Sequence, residues 1–129
     1  MELLIPVSPG ELLDKLTILE IKLERIDDPG KRANVRCEHE QLSRVWNESG
    51  LENEQIADLR DQLRRINEAL WAIEDDIRDE ERRQRFGDRF VELARSVYFR
   101  NDDRAAIKKQ INLTLGSAIV EEKSYQDYR

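Results

Sequence analysis

Apolar residues return every three or four positions along most of the chain, the pattern of helices that each bury one stripe. The first set opens at Ser8-Pro9-Gly10-Glu11. Ser8 suits an N-cap, Pro9 suits the first helical position, and Glu11 can complete a capping box. Leu12, Leu16, Leu19, Leu23 and Ile26 then form one stripe, while Leu13, Ile18 and Ile21 point to another side. This predicts a helix over 9–26 that is buried on two faces. Asp28 can cap a second helix over 29–47, with Val35, His39, Leu42 and Trp46 inward and Gly50 as its left-handed terminator. The third and longest, over 53–85, carries Ile56, Leu59, Leu63, Ile66, Leu70, Ile73 and Ile77 in three-four alternation, a coiled-coil-like seam. Phe86-Gly87 punctuates the chain before a fourth helix over 88–100, with Phe90, Leu93 and Val97 inward. Asn101-Asp102-Asp103 reads as a cap that opens a fifth, over 102–115, striped by Ile107, Ile111 and Leu115. The remaining 117–129 form a tail.

The expected fold is therefore all-α: an antiparallel bundle of four or five helices with one long coiled-coil-like helix, in a single helical domain over 1–129. Short connections make successive helices antiparallel neighbours. Leu16, Leu19, Leu63, Ile66 and Leu70 are the expected centre of the core.

Composition narrows the function. Charged residues make up 39 % of the 129 residues, well above the usual quarter, and 28 acids against 22 bases give a net charge of −6. An acidic chain is a poor default binder of nucleic acid. No apolar run approaches the ~20 residues of a membrane span. The start, Met-Glu-Leu-Leu-Ile-Pro, lacks a basic segment and is broken at Pro6, so no secretory leader is expected. One Cys cannot form an intrachain disulfide, which fits a cytoplasmic location.

Several blocks carry a resemblance. Pro6-Val-Ser-Pro-Gly-Glu-Leu-Leu-Asp-Lys-Leu-Thr-Ile-Leu-Glu-Ile-Lys22, Leu70-Trp-Ala-Ile-Glu-Asp-Asp-Ile-Arg78, Glu92-Leu-Ala-Arg-Ser-Val-Tyr98, Asn101-Asp-Asp-Arg-Ala-Ala-Ile-Lys108 and Gly116-Ser-Ala-Ile-Val-Glu-Glu-Lys-Ser-Tyr125 resemble a small bacterial family of uncharacterised proteins, a domain of unknown function. The resemblance covers nearly the whole chain. It implies no activity and transfers no catalytic residue.

Candidate chemistry is sparse. Glu74-Asp75-Asp76 is the densest acidic cluster; all-α nucleotide pyrophosphatases hold Mg²⁺ with Glu-x-x-Glu and Glu-x-x-Asp pairs on facing helices, and the spacings here do not match that pattern well. Arg78, Arg82 and Arg83 account for the cluster as intrahelical partners. Cys37 and His39 sit two apart, about 200° around a helix, so they cannot chelate one ion. His39 is instead expected as a hydrogen-bonded boundary residue. No metal site and no cofactor is expected. Arg104, Lys108 and Asn112 repeat at four-residue spacing; Arg104 and Lys108, with Arg95 upstream and Glu74 and Arg78 on the third helix, make the candidate polar or anion site. Trp71 lies off the Leu70–Ile73 seam and faces a third element or a partner.

Two functions follow as expectations. The first is a cytoplasmic, non-enzymatic interaction or assembly module, a homodimer or the docking site of another protein, with Leu13, Ile18, Ile21 and Trp71 in the interface. The alternative is an enzyme or binding protein for a phosphorylated or nucleotide-linked substrate, a sugar nucleotide included, using the acidic cluster and the basic stripe.

Overall fold

A computed structural model describes residues 1–129. It holds four helices, α1 (Pro9–Arg25), α2 (Pro29–Ser49), α3 (Glu54–Arg82) and α4 (Asp88–Thr114), and no strand. The fold is an all-α bundle, and no helix is long and apolar enough to cross a membrane.

Three of the four helices start on a side-chain cap, and α4 follows Gly87 without one. The Ser8 hydroxyl accepts from the Glu11 backbone N–H at 3.1 Å, Asp28 caps α2 through the Lys31 N–H at 2.9 Å, and Asn53 caps α3 through the Ile56 N–H at 2.9 Å. Glu11 does not complete the expected capping box, because its carboxylate is taken by Lys108 on α4. Gly50 ends α2 at φ 68°, in the left-handed region where glycine carries no steric penalty.

α2 runs to Ser49, two residues past the expected end, and two larger differences have a visible cause. The long helix stops at Arg82 rather than 85, because Gln84 turns left-handed at φ 57°. The Arg85 N–H then reaches the Glu80 carbonyl and the Gln84 N–H the Glu81 carbonyl, a Schellman closure without glycine. The expected fourth and fifth helices are one continuous α4; Asn101-Asp102-Asp103 does not interrupt it.

α1 packs against all three other helices, α3 and α4 pack against each other, and the backbone of α2 lies along α1. Cross-contacts fix the directions. Gly10 meets Asn112 and Glu11 meets Lys108, while the Leu23 carbonyl accepts from Arg32 and Glu20 faces His39. α1 is thus antiparallel to both α2 and α4. Its two apolar sides are both covered by this chain: Leu13 and Ile21 are 0 % and 1 % exposed. They are core residues, not the surface expected for an interface.

The core gathers Leu12, Leu13 and Leu16 of α1, Trp46 of α2, Ile56, Leu59 and Leu63 of α3 and Ile111 of α4. Trp46 also donates its indole N–H to Glu52 at 2.7 Å. On α3 the expected core residue Ile66 is only half-buried, and its neighbour Asn67 is buried in its place. An ion cluster laces α1 to α3, with Glu20 between Arg60 (2.7 Å) and Arg64 (3.1 Å). His39 is not hydrogen-bonded as expected: its buried Nε2 has no partner and lies 3.7 Å from Glu20.

Gly10 sets how closely α1 approaches α4. A Cβ there would lie 2.6 Å from the Lys108 carbonyl oxygen and 2.9 Å from Asn112 Oδ1. The first atom is backbone, so α4 itself must move. Gly10→Ala is expected to cost about 1–3 kcal/mol in chemical denaturation, as overpacking does. Gly87→Ala, with nothing within 4 Å of the new Cβ, should cost less than about 1 kcal/mol. Equal losses at the two positions would remove the close-approach explanation.

Candidate functional site

Three helices meet at Asp14. Its carboxylate accepts from Asn67 Nδ2 of α3 at 2.9 Å and lies 3.4 Å from Lys108 Nζ of α4. Lys108 also donates to Glu11 at 2.6 Å. Asn67 Nδ2 donates a second time to the Thr17 hydroxyl at 3.0 Å, and that hydroxyl donates to the Asp14 carbonyl at 2.9 Å. The two acceptors fix which end of the Asn67 amide is nitrogen. Burial works against the Lys108 charge, but the Glu11 hydrogen bond and the charges of Asp14 and Glu11 outweigh it, and its pKa is raised.

The network extends to the start of α1. The Gly10 N–H donates to Asn112 Oδ1 at 2.7 Å. Asn112 Nδ2 and the Ser8 hydroxyl both donate to Glu121, at 3.0 and 2.7 Å, which ties the tail to this helix end. Burial raises the Glu121 pKa, yet the Ser8 bond, a backbone N–H, Lys108 and Asn112 hold it below the ordinary carboxylate value.

A cleft of about 460 Å³ opens beside Asn67, between α1, α3 and α4. Its apolar wall is Ile18, Ile21, Leu70 and Trp71; its polar groups are Asn67, Glu74, Asp75, Arg78, Asn101 and Arg104. Pockets with an apolar wall and a few convergent polar groups are the usual form of a small-ligand site. Within it, Arg78 is spent on Glu74 one turn earlier. Half-buried Arg104 makes no ion pair or hydrogen bond within the chain, and neither do the Asn101 amide, the Asp75 carboxylate or the Trp71 indole N–H.

Of the five residues of the expected polar site, Glu74, Arg78 and Arg104 meet in this cleft. Lys108 does not join them, because α1 presents Glu11 and Asp14 to it. Arg95 lies more than a helical turn before Asn101, where its Nε donates to the Tyr98 hydroxyl at 3.4 Å and its guanidinium lies 5.9 Å from the Phe99 ring centroid. Ile18 and Trp71, expected at an interface, line the same cleft. Asn67 and Asn101 were not expected; the one signal was a polar residue four positions after Leu63 on a buried seam. No group of three or more His, Cys, Asp or Glu side chains is disposed to hold a metal ion.

A family model matches residues 3–128 and is described as a family of unknown function, DUF6165. The chain belongs to that family, as the sequence blocks implied. No curated protein and no solved structure matches the chain.

The three-helix junction makes a direct stability prediction. Lys108→Met keeps most of the side-chain volume but leaves Glu11 and Asp14 without their cation. The expected loss is about 2–3 kcal/mol, below the cost of breaking a fully buried pair because Glu11 is partly solvated. Since the folded pKa of Lys108 is raised, its contribution is complete below the ordinary 10.5 and is lost as pH climbs through the higher folded value. The stability gap between wild type and variant should therefore narrow at strongly alkaline pH. Denaturation midpoints across that range that keep a constant gap would show that the amine charge is not what holds the junction.

Proposed function

We propose that the chain is a binding protein for a small phosphorylated or nucleotide-linked ligand, which it takes in the cleft between α1, α3 and α4. One observation carries the reading: Arg104 lines that cleft half-buried and without an acidic partner, in a chain where acids outnumber bases. A partly desolvated guanidinium gains most from a bidentate oxyanion, and phosphate supplies one. Trp71 and Ile18 offer apolar surface to the uncharged part of such a ligand. Asn101 and the side-chain carbonyl of Asn67 offer polar groups to orient it.

The assembly reading rests on the lack of a catalytic constellation and on the surplus apolar face of α1. Leu13 and Ile21 are covered within the chain, and what remains half-exposed of that face is Ile18, in the cleft beside Trp71. The cleft is thus the common ground of both readings, and its occupant distinguishes them.

Isothermal titration with ADP and with inorganic phosphate tests the proposal. ADP is expected to bind and to raise the melting temperature, as any ligand selective for the native state must. Arg104→Ala should weaken it roughly ten- to a hundredfold, the worth of a hydrogen bond to a charged group. Binding that Arg104→Ala leaves intact, or no binding of either anion at millimolar concentration, refutes the reading. A mass of twice 15.3 kDa in light scattering that Trp71→Ala returns to one chain would give the cleft to a second copy instead.

A further inference from the structure

Asn101-Asp102-Asp103 has the composition of a helix break, yet it lies in the middle of α4. Asp and Asn disfavour helix interiors because their side chains compete for nearby backbone N–H groups. Here two of the three are occupied otherwise. Asp102 pairs with Lys123 at 2.8 Å and accepts from the Tyr128 hydroxyl; Asp103 lies 3.8 Å from Arg129. All three partners belong to the tail. Tyr128 packs against two rings, tilted at 5.0 Å from Tyr98 and edge-to-face at 5.2 Å from Phe99, and the Arg129 guanidinium lies 4.7 Å from the Phe99 centroid. The tail is fastened a second time where Glu121 meets Ser8 and Asn112.

The same helical turn serves both faces of α4. Asp102 faces the tail, while Asn101 and Arg104, three apart and therefore on one face, line the cleft.

We infer that the tail is a control element for the cleft: by binding Asp102 and Asp103 it keeps α4 helical through residues 101–104 and so holds Asn101 and Arg104 at the ligand site. Release of the tail frees the two carboxylates to cap the following segment, the turn between Arg100 and Arg104 opens, and the cleft loses its polar wall. Tail docking and ligand binding are then coupled, each favouring the other by the same factor. The ligand arm of this inference rests on the function proposed above; the conformational arm does not.

The test is hydrogen exchange on the unliganded full chain. Lys123→Ala/Tyr128→Ala touches no cleft residue, and it should lower amide protection over 100–105 by about tenfold or more while α1 and α3 keep theirs. Adding Asp102→Ala/Asp103→Ala to that variant should restore protection, because the capping side chains are gone and alanine is the best helix former. ADP affinity should fall in the tail variant and return in the fourfold variant. Unchanged protection over 100–105, a loss spread evenly over α1, α3 and α4, or no restoration by the alanines would each overturn the inference. Exchange is read without ligand, so a failure of ADP to bind would count against the proposed function alone.

Discussion

A buried carboxylate has few places to be. Asp14 is almost fully enclosed, and an enclosed ion is tolerated only where hydrogen bonds and an opposite charge replace its water. α3 supplies Asn67, α4 supplies Lys108, and α1 itself supplies Thr17 as the second acceptor for Asn67. Those partners can be present together only in one register of three helices. Leucine contacts alone tolerate sliding; a carboxylate that must meet an amide and an ammonium does not. Gly10, a turn earlier, lets the backbones of α1 and α4 come close enough for Lys108 to reach. The position of the cleft is a consequence, since the α1 residues that follow Asp14 and Thr17 on that side are Ile18 and Ile21.

Much of this architecture is written locally. Ser8, Asp28, Asn53 and Gly50 act on backbone groups within three residues of themselves, so helix starts and the end of α2 are legible from short windows. Leu12, Leu16, Leu59 and Leu63 are legible from period alone. The end of α3 is not, because a glutamine takes the left-handed position that glycine normally marks. Asn67 is not, because its partners lie 53 and 50 residues away and a polar residue on a seam reads as an interruption. The unbroken α4 is not, because the groups that neutralise Asp102 and Asp103 come from the tail, beyond any window used to judge helix propensity.

The candidate site shows the same division. Residue types at helical spacing suffice to nominate Glu74, Arg78 and Arg104 for a polar site and Trp71 for an interface, and all four line the cleft. They do not suffice to separate Arg104 from Lys108. Both are cations on one stripe of α4, four residues apart, and nothing in their own helix distinguishes them.

The distinction comes from α1, which runs antiparallel to α4 along that stripe. Opposite Lys108 it places Glu11 and Asp14, and opposite the turn that carries Arg104 it places Ile18 and Ile21. One α1 face changes from acids to isoleucines over two turns, so one cation is consumed by the fold and the next is left without a partner. An arginine set against an apolar wall has lost part of its hydration without gaining an ion pair, which makes it more receptive to an external anion than the more numerous arginines already paired along α3. In a chain this rich in charge, the number of cations says little about function. What separates the spent from the available is the order of four residues on a different helix: Glu11, Asp14, Ile18 and Ile21.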